Sequence, residues 1–146
     1  MLRILSVAAL IAVGATAVAA QNLDVIKARK ETLKGFGAAA KEPGAMLKGD
    51  AKFDMAKVQA ALKTFQAGAA KLPDLFPDDS KTGGETEALP IIWEKKADLV
   101  DRYKKLAAER KAAEATITDE IGFQEVWPKL LGDNCVGCHK IYRKPQ

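Results

Sequence analysis

Both cysteines and the only histidine of the 146-residue chain fall within five consecutive residues, Cys135-Val136-Gly137-Cys138-His139. Whatever this chain folds into must present those three side chains together near its C-terminus. On an α-helix the positions i, i+3 and i+4 share one face, so Cys135, Cys138 and His139 point the same way. Two thiols at this spacing can each add across one vinyl group of a haem, and the adjacent histidine then offers an imidazole nitrogen to the iron. The pattern therefore reads as a c-type haem attachment site, with haem c held by two thioethers. A thioredoxin-type redox pair wants the motif at a helix start after a strand, and no strand-like segment precedes it. A closed zinc site of Cys and His needs four such ligands, more than this chain has.

The other end of the chain agrees with this reading. Arg3 is followed by an apolar run that ends in the small residues Val18-Ala19-Ala20, the pattern of a secretory signal peptide cleaved after Ala20. The alternative is an uncleaved N-terminal anchor, for which the run is short and ends in small residues. Export places the mature chain, residues 21–146, in the periplasm, on the side of the membrane where bacterial c-type haem is attached. That length makes one domain with one core. The formal net charge is +4, one less once Arg3 is removed, which is too mild and too evenly spread for a nucleic-acid binder.

The mature chain is rich in Ala, Lys, Leu and Glu and lacks alternating β-branched or aromatic residues, so it reads as all-helical. The first helix is expected from about Leu23 to Met46, with Leu23, Ile26, Leu33, Phe36 and Ala40 inward, Pro43-Gly44 weakening its end and Lys48-Gly49-Asp50 closing it. The second spans Met55 to Leu72, with Asp54 as N-cap and Val58, Ala61, Leu62, Phe65 and Ala69 inward. Turn formers fill the stretch from Pro73 to Leu89, too long for a plain connector, so it is expected to pack over something. A third helix runs from Pro90 to Ala115, with Ile92, Trp93, Leu99, Val100, Tyr103, Leu106 and Ala107 inward. The fourth starts at an N-cap Thr118, carries Phe123, Val126, Trp127, Leu130 and Leu131 into the haem motif, and should kink or split at Pro128. Four such helices with mostly short connections make an antiparallel four-helix bundle, the cofactor lying between helices near one end.

These residues resemble the cytochromes c′, the four-helix-bundle class of c-type cytochromes, over essentially all of the mature chain. The resemblance rests on the haem motif at the end of the last helix followed by Tyr142-Arg143, and on Ala88-Leu89-Pro90-Ile91-Ile92-Trp93 opening the third. Leu72-Pro73 and Phe76-Pro77 after the second helix, and Ile26-Lys27-Ala28-Arg29 followed by Leu33 in the first, complete it. It implies that His139 is the proximal iron ligand and that the residue four after the arginine of the first helix, Leu33, faces the iron. A methionine there gives the low-spin, six-coordinate branch; an aliphatic residue leaves the iron five-coordinate and high-spin. It also places Arg29 and Lys30 at the haem edge, where a cation pairs with a propionate, although the two equally read as a surface pair. Thr86 and Glu87 match a loop over the haem edge, and Glu87 equally reads as a helix N-terminal carboxylate. Arg143, four residues after His139 and so on the same helix face, matches a basic residue that weakens the iron–histidine bond. A homodimer through the first two helices is implied; Ala38, Ala39 and Ala40 offer a close-packing surface, or else face the bundle interior. Lys30, where an amide is common, and Pro128 depart from the pattern.

The residues bear on the sixth ligand independently. No second histidine exists, and the mature chain keeps only Met46 and Met55. Met46 lies thirteen residues beyond Leu33, about 20 Å along a straight helix at ~1.5 Å per residue, so both cannot reach one iron. The two methionines read as packing residues, and Leu33 by periodicity alone also reads as an ordinary core leucine. The expectation is a periplasmic monohaem cytochrome, five-coordinate and high-spin, that binds small gaseous ligands (nitric oxide, carbon monoxide), exchanges single electrons with an unnamed redox partner, or both. The alternatives are a low-spin six-coordinate electron carrier of the same fold and a haem-free helical adaptor or metal-binding protein. With its one histidine taken by iron, the chain offers no positioned acid and base and is not expected to be an enzyme.

Overall fold

The computed structural model describes residues 22–145; the signal peptide expected over residues 1–20 lies outside them. The long helices are α1 (Leu23–Lys48), α2 (Met55–Lys71), α4 (Lys96–Thr116) and α5 (Glu120–Leu131), with a single turn α3 (Ile91–Glu94) before α4 and a short α6 (Gly137–Tyr142) at the end. They form an all-α four-helix bundle in which α2 packs on α1 and α4, and α4 on α5.

Side chains set the helix starts. Asn22 Oδ1 accepts from the Val25 N–H at 3.2 Å and Asp54 Oδ1 from the Lys57 N–H at 3.2 Å, satisfying donors that a helix start leaves free. The last long helix is capped by Asp119, whose Oδ1 accepts from the Gly122 N–H at 2.8 Å, rather than by the expected Thr118. Pro43 weakens α1 without ending it, and the helix closes at Lys48-Gly49-Asp50, the expected closing segment. Pro43 is buried within the helix, which continues to Gly49, where a left-handed φ of 79° turns the chain and returns the Gly49 N–H to the Ala45 and Met46 carbonyls. One missing ladder bond is outweighed by packing at that end.

Two further departures shape the haem-motif end. The expected third helix is broken at Lys95, with φ −118° and ψ 40°. The break lets Trp93 turn back and donate Nε1–H to the Phe76 and Pro77 carbonyls at 3.1 and 3.0 Å, while Leu99, Tyr103 and Leu106 face the core. The last helix runs through exposed Pro128 and is divided instead at Gly132–Val136, a π-helical turn that contains Cys135. Such turns insert one extra residue per turn and rotate the side chains that follow.

Aromatic contacts link the core: Phe36 meets Phe65 edge-on with centroids 5.2 Å apart, Phe65 meets Trp127 at 6.0 Å, and Trp127 meets Phe123 at 5.6 Å. Gly68 of α2 faces Phe36 and Thr32 of α1. A β-carbon there would overlap Phe36 Cε1 and stand 3.1 Å from Thr32 Cγ2. Alanine is the better helix former by about 1 kcal/mol, but forcing a methyl into this core costs about 1–3 kcal/mol, and the Phe36 ring is held against Phe65. Gly68→Ala is therefore expected to lower the denaturant midpoint of the haem-loaded protein.

Candidate haem site

The stretch from 72 to 89 packs over the N-terminal half of α1, as its length suggested. Two 3₁₀ turns, Leu72–Leu75 and Asp78–Ser80, lead into three successive residues with positive φ, Gly83, Gly84 and Glu85. Glycine tolerates that conformation freely; at Glu85 it is held by Lys30, whose Nζ donates to the Gly84 and Glu85 carbonyls at 3.2 and 3.3 Å.

Arg29 holds the loop from inside. Its guanidinium, 2% exposed, donates to Ser80 Oγ at 2.9 Å, to the Ser80 carbonyl at 2.8 Å, to the Leu75 carbonyl at 3.2 Å and to Thr86 Oγ1 at 2.7 Å. It also stacks on Phe76, 4.9 Å from the ring centroid. Burial lowers its pKa from the ordinary value.

The loop in turn fixes the C-terminus. Ala88 and Arg143 form an isolated antiparallel bridge, flanked by the Leu89 N–H to the Tyr142 carbonyl at 2.9 Å and the Lys144 N–H to the Glu87 carbonyl at 2.8 Å. Buried Tyr142 donates to Asp98 Oδ2, which also accepts from Arg102 Nε at 2.6 Å. Tyr142 is the last residue of α6, so α6 is clamped between the loop and α4.

These restraints leave a cleft of about 670 Å³ between α1, the loop and α6. That lies within the roughly 300–1,000 Å³ of ligand and cofactor sites. Leu33 lines it from α1 and His139 from α6, and Lys30, Glu87 and Arg143 line it as well. Arg29 and Thr86 do not; they are buried and bonded to each other. Sequence reasoning passed over Lys27, Glu31 and Gly84, which also border it. Lys27, Lys30, Glu31 and Lys34 are spaced i, i+3, i+4, i+7, one helix face, and that periodicity was the available signal. Leu23, expected inward, is half-exposed and borders the cleft as well. Met46 is buried in the core and Met55 packs against it; neither borders the cleft.

Arg143 reaches the cleft by a route other than helical stacking. α6 stops at Tyr142, Arg143 is extended (φ −118°, ψ 142°), and its Nε lies 2.8 Å from Glu87 Oε2. Although His139 borders solvent on the cleft side, partial burial and then the Arg143 cation lower the pKa of its imidazole, with Glu87 opposing. The ring is thus neutral at neutral pH, with a nitrogen lone pair free to ligate.

Cys135 and Cys138 are both half-buried free thiols, and burial raises both pKa values. That is the opposite of the depressed pKa of a redox-active Cys-x-x-Cys. Among the described residues no three His, Cys, Asp or Glu side chains gather to hold a metal ion.

The donor set fits a haem. Two thiols precede a neutral imidazole facing a cleft, whose lining carries two more cations than carboxylates (Lys27, Lys30, Lys34 and Arg143 against Glu31 and Glu87). A haem brings two propionates to balance them.

Comparison with known proteins agrees. The family model described as Cytochrome C′ matches residues 24–143. The chain is 49% identical over 142 residues to a cytochrome c′ of Rhodopseudomonas palustris, covering 97% of this chain and 96% of that one. It is 35% identical over 119 residues to a cytochrome c-556 of Agrobacterium fabrum, covering 81% and 80%. The solved structure of cytochrome c′ from Rhodopseudomonas palustris superposes with a TM-score of 0.82 at 50% identity, over 84% of this chain and 98% of that one. A bundle of this shape, closed by a Cys-x-x-Cys-His turn and matched along nearly its whole length, belongs to the cytochrome c′ family of c-type haem cytochromes.

Proposed function

We propose that this chain is a periplasmic monohaem cytochrome with a five-coordinate, high-spin iron that binds small neutral gases, nitric oxide and carbon monoxide among them, and exchanges single electrons. In this reading Cys135 and Cys138 hold the haem through thioethers, and His139 is the axial ligand. Haem c, when bound, supplies the iron's redox and ligand-binding chemistry. The chain's own residues decide which face of the iron is open.

The observation that supports this best is the make-up of the cleft: Leu33 lies in the same lining as His139, with no methionine and no second histidine. Leucine has no donor atom, so it shields the distal face without ligating. It also offers no hydrogen bond to a bound gas, which favours ligands that do not need one. The lysines on the same face of α1 suit the propionates, and Arg143, held by Glu87, keeps a positive charge beside the His139 ring. Arg29 acts at one remove, holding through Ser80 and Thr86 the loop that bounds the cleft.

Exposed Gly37 and Ala38 on α1 support a dimer contact through that helix, whereas Ala39 and Ala40 pack on the core. Export through the N-terminal signal, and so the periplasm, is part of the same reading.

The test is the absorption spectrum of the reduced, haem-loaded protein before and after adding carbon monoxide. A broad unsplit visible band that sharpens with the gas is the expected result. Sharp split bands that ignore the gas would mean a sixth ligand and a low-spin electron carrier.

A further inference from the structure

Arg110, on the core face of α4, is fully buried and plays no part in the cleft. Its Nη2 donates to the Leu130 carbonyl at 2.8 Å, and its Cζ lies 5.2 Å from the centroid of the Phe65 ring. Nε and Nη1 make no hydrogen bond of good geometry among the described residues, and the Cys135 sulfur is the weak acceptor that interacts with the guanidinium. The adjacent carboxylate, Glu109, is engaged elsewhere: it accepts from Asn134 Nδ2 at 2.6 Å and stands 3.5 Å from Lys105 Nζ. The guanidinium thus has no ion pair of its own among the described residues. Its neighbour is the π-helical turn that carries Cys135: Leu130, whose carbonyl it holds, lies two residues before that turn, and Asn134 within the turn donates to the same carbonyl at 3.3 Å, so the Cys135 sulfur feels the charge.

A buried cation costs several kcal/mol in lost hydration, and a carbonyl with one aromatic face returns only part of that. A residue needed only to fill this space could be Met or Leu, without the penalty. The charge calls for a use, and the Cys135 sulfur beside it is where the chain meets the porphyrin.

We propose that Arg110 raises the reduction potential of the haem iron: its buried charge, which no ion pair neutralises, beside the Cys135 sulfur at the porphyrin periphery, favours the ferrous state over the ferric. The inference rests on the reading above that Cys135 carries one of the two thioethers. The step is the transfer of one electron from a one-electron donor to ferric iron. The guanidinium neither gains nor loses a proton, because arginine stays charged throughout. A charge shielded from solvent is little screened by salt, so it acts on the iron where surface lysines do not.

The experiment uses haem-loaded protein with Arg110→Met, Arg110→Gln and Arg110→Lys, each checked by intact mass for one haem addition and titrated optically against redox mediators. Both neutral variants are expected to shift the ferrous-to-ferric ratio at a fixed ambient potential about tenfold toward ferric, which is 59 mV for one electron. Arg110→Lys, which keeps the charge, is expected to stay near the parent.

Loaded neutral variants with the parent's potential would overturn the proposal and leave Arg110 as a cap for Leu130. Neutral variants that fold without acquiring haem would overturn it too, making Arg110 a residue of attachment. So would neutral variants that do not fold, since the charge would then serve the fold. A parent protein without the haem mass would instead sink the underlying reading of the site, whatever Arg110 does.

Discussion

Replacing Cys135 and Cys138 together by alanine is expected to abolish covalent haem completely: intact mass of the exported protein should show the bare mature chain, and acid–organic extraction should remove any residual colour. Each single variant keeps one thiol and should retain a haem that resists extraction. The thiols suit this role because burial keeps both protonated and unpaired rather than activated for disulfide exchange. Cys138 also packs against the core and Cys135 sits in the π-helical turn, so the two sulfurs are held by different parts of the fold. A double variant that still carried haem through extraction would show attachment elsewhere and end the c-type reading.

Leu33→Met is expected to convert the iron to six-coordinate, giving sharp split bands in the reduced spectrum and weakening carbon monoxide binding about a hundredfold. The magnitude follows from competition. If the thioether occupies the open position in about 99% of molecules, the apparent affinity for a second ligand falls by that factor. Leu33 is half-buried at the rim of the cleft, so the longer, flexible methionine fits without displacing the core. Leu33→Ala should move affinity the other way by removing the side chain that a gas must displace. A Leu33→Met protein with an unchanged spectrum and unchanged affinity would mean that Leu33 does not face the iron.

Much of this protein follows from local chemistry and is written in its sequence. Apolar residues at helical spacing, with caps such as Asp54, determine where four long helices form, and burying those stripes leaves a bundle as their natural assembly. The cluster Cys135, Cys138 and His139 determines the cofactor class, because no other spacing of two thiols and an imidazole on one helix turn is present. Helix interruptions were another matter. The end of α1 at Gly49 was legible, but Pro128 looks like the site of a kink or split and the last helix runs through it, while the breaks fall at Lys95 and at Gly132–Val136, where no helix-breaking proline stands. Arg29 could be placed on α1 from sequence, but only the folded loop turns it inward to Ser80 and Thr86, leaving Lys27, Lys30 and Lys34 to border the cleft. Arg110 continues the apolar stripe of α4 at the spacing of Leu99, Tyr103, Leu106 and Ala113, so its inward position was legible from periodicity, although sequence reasoning passed over it. It falls among charged neighbours on a helix whose polar residues mostly face water, and only the approach of α5 and the π-helical turn buries its charge beside Cys135. Local periodicity reports which face of a helix is apolar; which polar residue is enclosed depends on what packs there, and that is decided by contacts between residues far apart in the chain.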